Sequence, residues 1–236
     1  MRWRYLKLDL PYLGGELIIV VLGVTIALAA EQWRQAENDR LLADQYISRL
    51  IASIEGDIVR WNSLMIAVEY KNSALDRAKN KTDTKDKAIL EIDGYLQDLT
   101  DGARMAFGSG IVAGTTTFDE LVSSGNFTLI EDATLRESIA RYYGSIENQT
   151  RRISNRTTIY QSAIYQLIPR EPEFTVHPNH AAGDKERIFE RSKLLDIESL
   201  IIGERNFGRL EIEVLIDLLN LAEQLLPELR SYQNGA

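Results

Sequence analysis

Apolar positions recur with helical spacing along most of the chain. Ile47, Ile51, Ile54, Ile58, Trp61, Met65 and Val68 alternate steps of four and three, and Leu75 extends the seven-residue series Ile47, Ile54, Trp61 and Val68. Such steps keep side chains on one face of a helix, so they predict a long amphipathic helix with coiled-coil packing over about residues 31–80. The same alternation runs through Leu135, Ile139, Tyr142, Ile146, Gln149, Ile153, Arg156, Tyr160, Ala163 and Leu167. It predicts a second long helix over 133–168, with Asp132 as N-cap and Pro169 as the stop. Gln149 and Arg156 put polar groups on that seam, where they either set register or mark the loss of a partner. A third long helix is expected over 207–229, with Leu210, Val214, Leu218, Leu221 and Leu225 inward and Pro227 kinking or ending it. Its acids Glu211, Glu213 and Asp217 come early, where the helix dipole favours them. Shorter helices are expected around 87–99, from a capping box at Thr117–Glu120 to Ser123, over 184–191 and over 194–202. The fold class is all-α: an antiparallel helical bundle, with the two first long helices packed against each other and the last covering them.

The first thirty residues differ in kind. Leu10 to Ala30 carries one charge, Glu16. As a helix, its 21 residues would extend about 30 Å, the thickness of a bilayer's hydrocarbon core. The expected organisation is therefore a short cytoplasmic segment 1–9, a transmembrane helix 10–30 and a helical extracytoplasmic domain 31–236. No proline interrupts Glu31 to Asn80, so the membrane helix can run straight into the first long helix. A secretory signal peptide is the competing reading, since Arg2, Arg4 and Lys7 precede the apolar run and Ala27-Leu28-Ala29 fits a cleavage site. Pro11, Gly14, Gly15 and Glu16 between the basic start and the apolar run count against it. The denser basic flank places the N-terminus in the cytoplasm. Trp3, Tyr5 and Tyr12 at one end and Trp33 at the other suit an aromatic belt. Within the span, Glu16, Gly23, Ala27 and Ala30 share a stripe. Small residues so spaced admit a second helix closely, which makes these four the candidate membrane helix contact. The other reading leaves Glu16 at the headgroup level and the small residues without a role.

Composition narrows the chemistry. The chain has no cysteine and only two histidines, which removes disulfide scaffolds, cysteine zinc sites, iron–sulfur clusters and thiol nucleophiles. A net charge of -8 opposes broad nucleic-acid binding. The glycines of 100–117 could suggest a phosphate loop, but no lysine follows them and neither phosphate-binding spacing is present. His177 and His180 stand in a proline-rich loop with no further ligand type at a zinc spacing, so no metal or other cofactor is assigned. Acid pairs such as Glu131-Asp132 lack a catalytic partner at a recognisable motif, and no catalytic residue is assigned.

Two segments carry a likeness. Gly15-Glu16 followed by the apolar run and Trp33 is one. Phe118-Asp-Glu-Leu-Val-Ser-Ser-Gly-Asn-Phe-Thr-Leu-Ile130, with Leu135-Arg and Tyr142-Tyr143 after it, is the other. Together they resemble a family of uncharacterised single-pass bacterial inner-membrane proteins, over roughly residues 10–80 and 115–145. The resemblance implies the anchor and a helical periplasmic domain, and it carries no activity. The expected function is a non-enzymatic membrane-anchored interaction protein, a scaffold or accessory subunit of an inner-membrane complex. Its expected partners are the bilayer and a membrane protein or a second copy. The alternative is an extracytoplasmic ligand-sensing bundle acting through a membrane partner.

Overall fold

The computed structural model describes residues 10–82, 94–104, 112–153, 158–168, 188, 191 and 195–235, with side chains from Ile19 onward. Six α-helices and one 3-10 turn make up these residues, with no strand among them. They are α1 (Leu10–Thr82), α2 (Tyr95–Gly102), α3 (Thr116–Ser123), the 3-10 turn Asn126–Leu129, α4 (Ala133–Ile153), α5 (Ile159–Leu167) and α6 (Ile197–Gly235).

α1 is a single helix of 73 residues. Pro11 falls in its first turn, where a missing N–H has no intrahelical partner to lose, and Lys79 and Lys81 close it where the dipole favours cations. The expected seam is the packed one: Ile47, Ile54, Trp61, Val68 and Leu75 are fully buried, while Ile51, Ile58 and Met65 flank them half-buried.

α6 runs antiparallel to α1. Gln233 meets Ser48, Arg230 meets Glu55, Lys71 meets Glu211 and Glu204, and Arg205 meets Asp76, so one residue number falls as the other rises. α4 is antiparallel to α6 through Glu131 with Tyr232 and Gln149 with Asp217. It therefore runs parallel to α1, as the contacts of Asn126 with Tyr46 and of Tyr142 with Asp57 also require. This corrects the expectation that the first two long helices pack antiparallel. The return along α1 is made before α4 begins. α2 packs at the far end against Arg77 and Lys81, Gly114 lies at the level of Asp57, and α3 reaches Tyr46 and Arg49.

Three further expectations change. The helix expected over 133–168 is two helices. Asp132 does cap the first, accepting from the N–H groups of Thr134 and Leu135. The chain starts again at Thr158, whose extended backbone and hydroxyl form a capping box with Gln161. The box expected at Thr117–Glu120 is not formed: α3 starts at Thr116 with no side-chain cap. Glu120 is drawn away to Arg49 at 2.5 Å and to the Tyr46 hydroxyl at 3.1 Å. Finally, α6 begins ten residues before the expected 207 and continues through Pro227 to Gly235. Buried Ala222, Leu225 and Leu229 hold the helix on both sides of the proline.

The turn read at Ser123–Asn126 is present, with Gly125 at φ 76°, a conformation that favours glycine. The start of the helix expected at residue 87, Gly108, Gly110, Arg156, His177, His180 and the helix expected at 184 lie outside the described residues.

Candidate functional site

The core has two parts. One gathers Ile47, Leu50, Ile54, Trp61 and Val68 with Ile139, Tyr142, Val214 and Leu218. The other gathers Leu75, Leu99, Tyr160, Ile164, Ile197 and Ile201. Between Val68 and Leu75 on α1, and between Ile201 and Val214 on α6, stand three charges. Lys71 donates to Glu211 at 2.5 Å and to Glu204 at 3.2 Å, with side chains only 0–4% exposed. Its ammonium lies 5.5 Å from the centre of the Phe207 ring. Burial raises the Glu211 carboxyl above its ordinary value. Lys71 opposes that rise and Glu204 adds to it. Beside the triad Gly208 of α6 lies against the Asn72 side chain of α1, where a Cβ would have no room unless Asn72 moved. Among the described residues, the Asn72 Oδ1 and the Glu204 Oε2 are buried without a hydrogen-bond partner.

A second buried charge is fully satisfied. Asp57 accepts from the Gly114 N–H at 2.9 Å, the Tyr142 hydroxyl at 2.9 Å and the Arg60 guanidinium. The Gly114 amide that could have cradled a phosphate is thus spent on a carboxylate of the chain itself. Burial first, and Asp57 second, push the Tyr142 phenol far above its usual range, so it stays protonated and donates to Asp57. Asp98 is held by Arg77 at 2.8 Å and Lys81 at 2.7 Å, and Asp101 by Tyr70, Gln97 and Arg104.

Sequence reasoning missed the triad. The sequence places Glu211 near a helix start, whereas α6 begins at Ile197 and sets it mid-helix against Lys71. The available signal was the spacing: Glu204 and Glu211 are seven apart on the apolar face, and Lys71 interrupts the α1 seam between Val68 and Leu75.

The candidate membrane contact lies elsewhere. Gly23, Ala27 and Ala30 are exposed on the free stretch of α1, and Gly23 has nothing within 4 Å of where a Cβ would be. The Glu16 side chain lies outside the described residues. Among the described residues, none of the other three meets another element. From Ile19 to Leu42 no side chain is buried, and the first buried residue is Ala43. Ile19, Val20, Val21 and Leu22 are 72, 57, 55 and 56% exposed. Four consecutive residues about 100° apart point all round the helix, so this stretch is apolar on every side. Among the described residues no helix is long and apolar enough to cross a membrane. The side chains described in the apolar run are those of Ile19 to Ala30, about 18 Å of helix. Where the tip meets the bundle, Trp33, Asp39, Arg40, Asp44, Glu131 and Tyr232 line a cleft of about 560 Å³.

No protein-family model, curated protein or solved structure matches the chain.

Proposed function

We propose that the chain is a non-enzymatic, membrane-anchored interaction protein: a helical rod held to a bacterial inner membrane by residues 10–30, with its bundle in the periplasm. One observation carries the reading. The N-terminal part of α1 leaves the bundle as a lone helix, apolar on all sides, and a helix of that kind needs an apolar surrounding on all sides. Two or more turns of such a surface are not stable against water alone. The exposed Trp33 follows the apolar run, at the level an interfacial aromatic would take. The lack of chemistry at the buried charges also supports a structural role. Asp57, Asp98 and Asp101 are consumed in ion pairs and hydrogen bonds, and the triad is closed to solutes.

The test is fractionation and topology. The full chain should stay with membranes after alkaline carbonate washing. A reporter active only in the periplasm should work when fused after Ala236. Release by carbonate, or activity of a cytoplasm-only reporter at that site, would overturn the reading. The cleft beneath Trp33 favours the second reading, a ligand-sensing bundle acting through a membrane partner. A small molecule retained through purification from mild detergent would support it.

A further inference from the structure

We infer that the triad of Lys71, Glu204 and Glu211 is a proton-binding site, and that the proton it holds keeps the second core docked on the first. Lys71 brings one positive charge and the two carboxylates bring two negative ones, with all three side chains buried. Ionised throughout, the site is one positive charge short in a place that water does not reach. Donors are short as well. Lys71 gives one N–H to the Glu211 Oε2 at 2.5 Å and one to the Glu204 Oε1 at 3.2 Å, and its ammonium also lies near the Phe207 ring. Among the described residues, the Glu204 Oε2 and the Asn72 Oδ1 receive none. Native interiors leave few such atoms unpaired, because an unmet buried acceptor costs free energy.

The neighbouring elements do not make up the deficit. Asp76, further along α1, takes Arg205 of α6 at 2.7 Å. Tyr160 of α5 faces Glu204 closely enough for that carboxylate, second to burial, to raise its phenol, yet its hydroxyl donates to the Leu99 carbonyl at 2.9 Å. Among the described residues, neither triad carboxylate is bonded to a second cation. A proton meets both deficits. It neutralises the site, and on the Glu204 Oε2 it turns an acceptor without a donor into a donor. It also needs no room, which decides against a metal ion: Lys71 already sits between the carboxylates, and Asn72 fills the space against Gly208. The raised Glu211 carboxyl agrees, lifted by burial first, with Lys71 opposing and Glu204 adding.

Position gives the proton its consequence. Val68 and Val214 on one side of the triad belong to the first core, and Leu75 and Ile201 on the other belong to the smaller second core with Tyr160 and Ile164. Loss of the proton leaves an uncompensated charge at this junction, and undocking the second core lets water reach it. The docked state holds the proton and the open state does not, so opening becomes easier as pH rises.

Infrared spectroscopy and hydrogen exchange on the full chain in mild detergent test both points. At pH 7 exposed carboxyls are ionised, so the parent should show the C=O stretch of one protonated carboxyl. Glu204→Gln and Glu211→Gln should each lack it, because either leaves one lysine with one carboxylate. Absence of the band in the parent at pH 7, or its persistence in either variant, overturns the site. In the parent, opening of α5 and of residues 197–204, corrected for intrinsic exchange, should rise about tenfold per pH unit while the band is present and level off where it disappears. Residues 47–61 should not follow. No rise, or a rise unrelated to the band, overturns the coupling. Should a variant fail to fold, the coincidence of band loss and levelling in the parent decides the matter.

Discussion

Replacing Lys71 by methionine tests the energetics most directly. The substitution keeps the length of the apolar stem and removes the only cation from a site where two carboxylates are 0–4% exposed. Breaking a buried pair by removing one partner costs about 3–5 kcal/mol, because the charge left behind has neither water nor counter-ion. The same reasoning predicts the reverse for the site as a whole. Changing Lys71→Met with Glu204→Leu and Glu211→Leu removes all three charges, and should return stability to within about 1 kcal/mol of the parent or raise it by about 1–4 kcal/mol. The pH dependence has a definite sign. Glu211 is raised above its ordinary value of 4.5 on folding, so the native state holds this proton more tightly than the unfolded chain does. The contribution is most favourable below about 4.5 and is lost as pH rises through the raised value. Lys71→Met removes the group that opposes the rise, so its cost should be smaller at pH 5 than at pH 8. Glu211→Gln should flatten the dependence. Urea unfolding of the full chain in a mild detergent, followed by circular dichroism at both pH values, measures all of this. The reasoning fails if Lys71→Met costs under about 1 kcal/mol at pH 8, or if the triple variant is no more stable than the single one.

Ile54→Asp should cost about 4 kcal/mol or more, since it puts an unpaired charge at a fully buried seam position; chemical denaturation checks it. Gly208→Ala brings a methyl against the half-exposed Asn72 side chain, which must turn aside, and should cost about 1 kcal/mol, while Gly23→Ile, with open space around it, should leave unfolding unchanged. Tyr142→Phe removes one of three donors to buried Asp57 and should cost about 1–3 kcal/mol by the same measurement. A fragment of residues 38–236 should be soluble with a strongly helical spectrum, because the packed part of α1 begins at Ala43. A spectrum without helix would refute that.

Along a single helix, periodicity is a local property, and the inward face of α1 was legible on that ground. Ile47, Ile54, Trp61, Val68 and Leu75 had to share one side whatever lay opposite. The Asp132 cap and the Gly125 turn were legible for the same reason, since their partners are two or three residues away. Direction was not local. Nothing in the spacing of α4 says that the chain has already travelled back along α1 through α2, Gly114 and α3, so an antiparallel pair was expected where a parallel one stands. Neither were the fates of charged groups that depend on distant neighbours. Glu120 has the sequence of a capping residue but is bonded to Arg49, 71 residues away. Glu211 has the sequence of a dipole acid but lies against Lys71, 140 residues away. Pro227 carries the signal of a helix end, and packing on both sides overrides it. A side chain's propensity is worth tenths of a kcal/mol to about 3 kcal/mol, while a buried counter-ion or a filled core position is worth as much or more. The sequence by itself therefore determined which faces are apolar. Only the tertiary structure decided which charges meet.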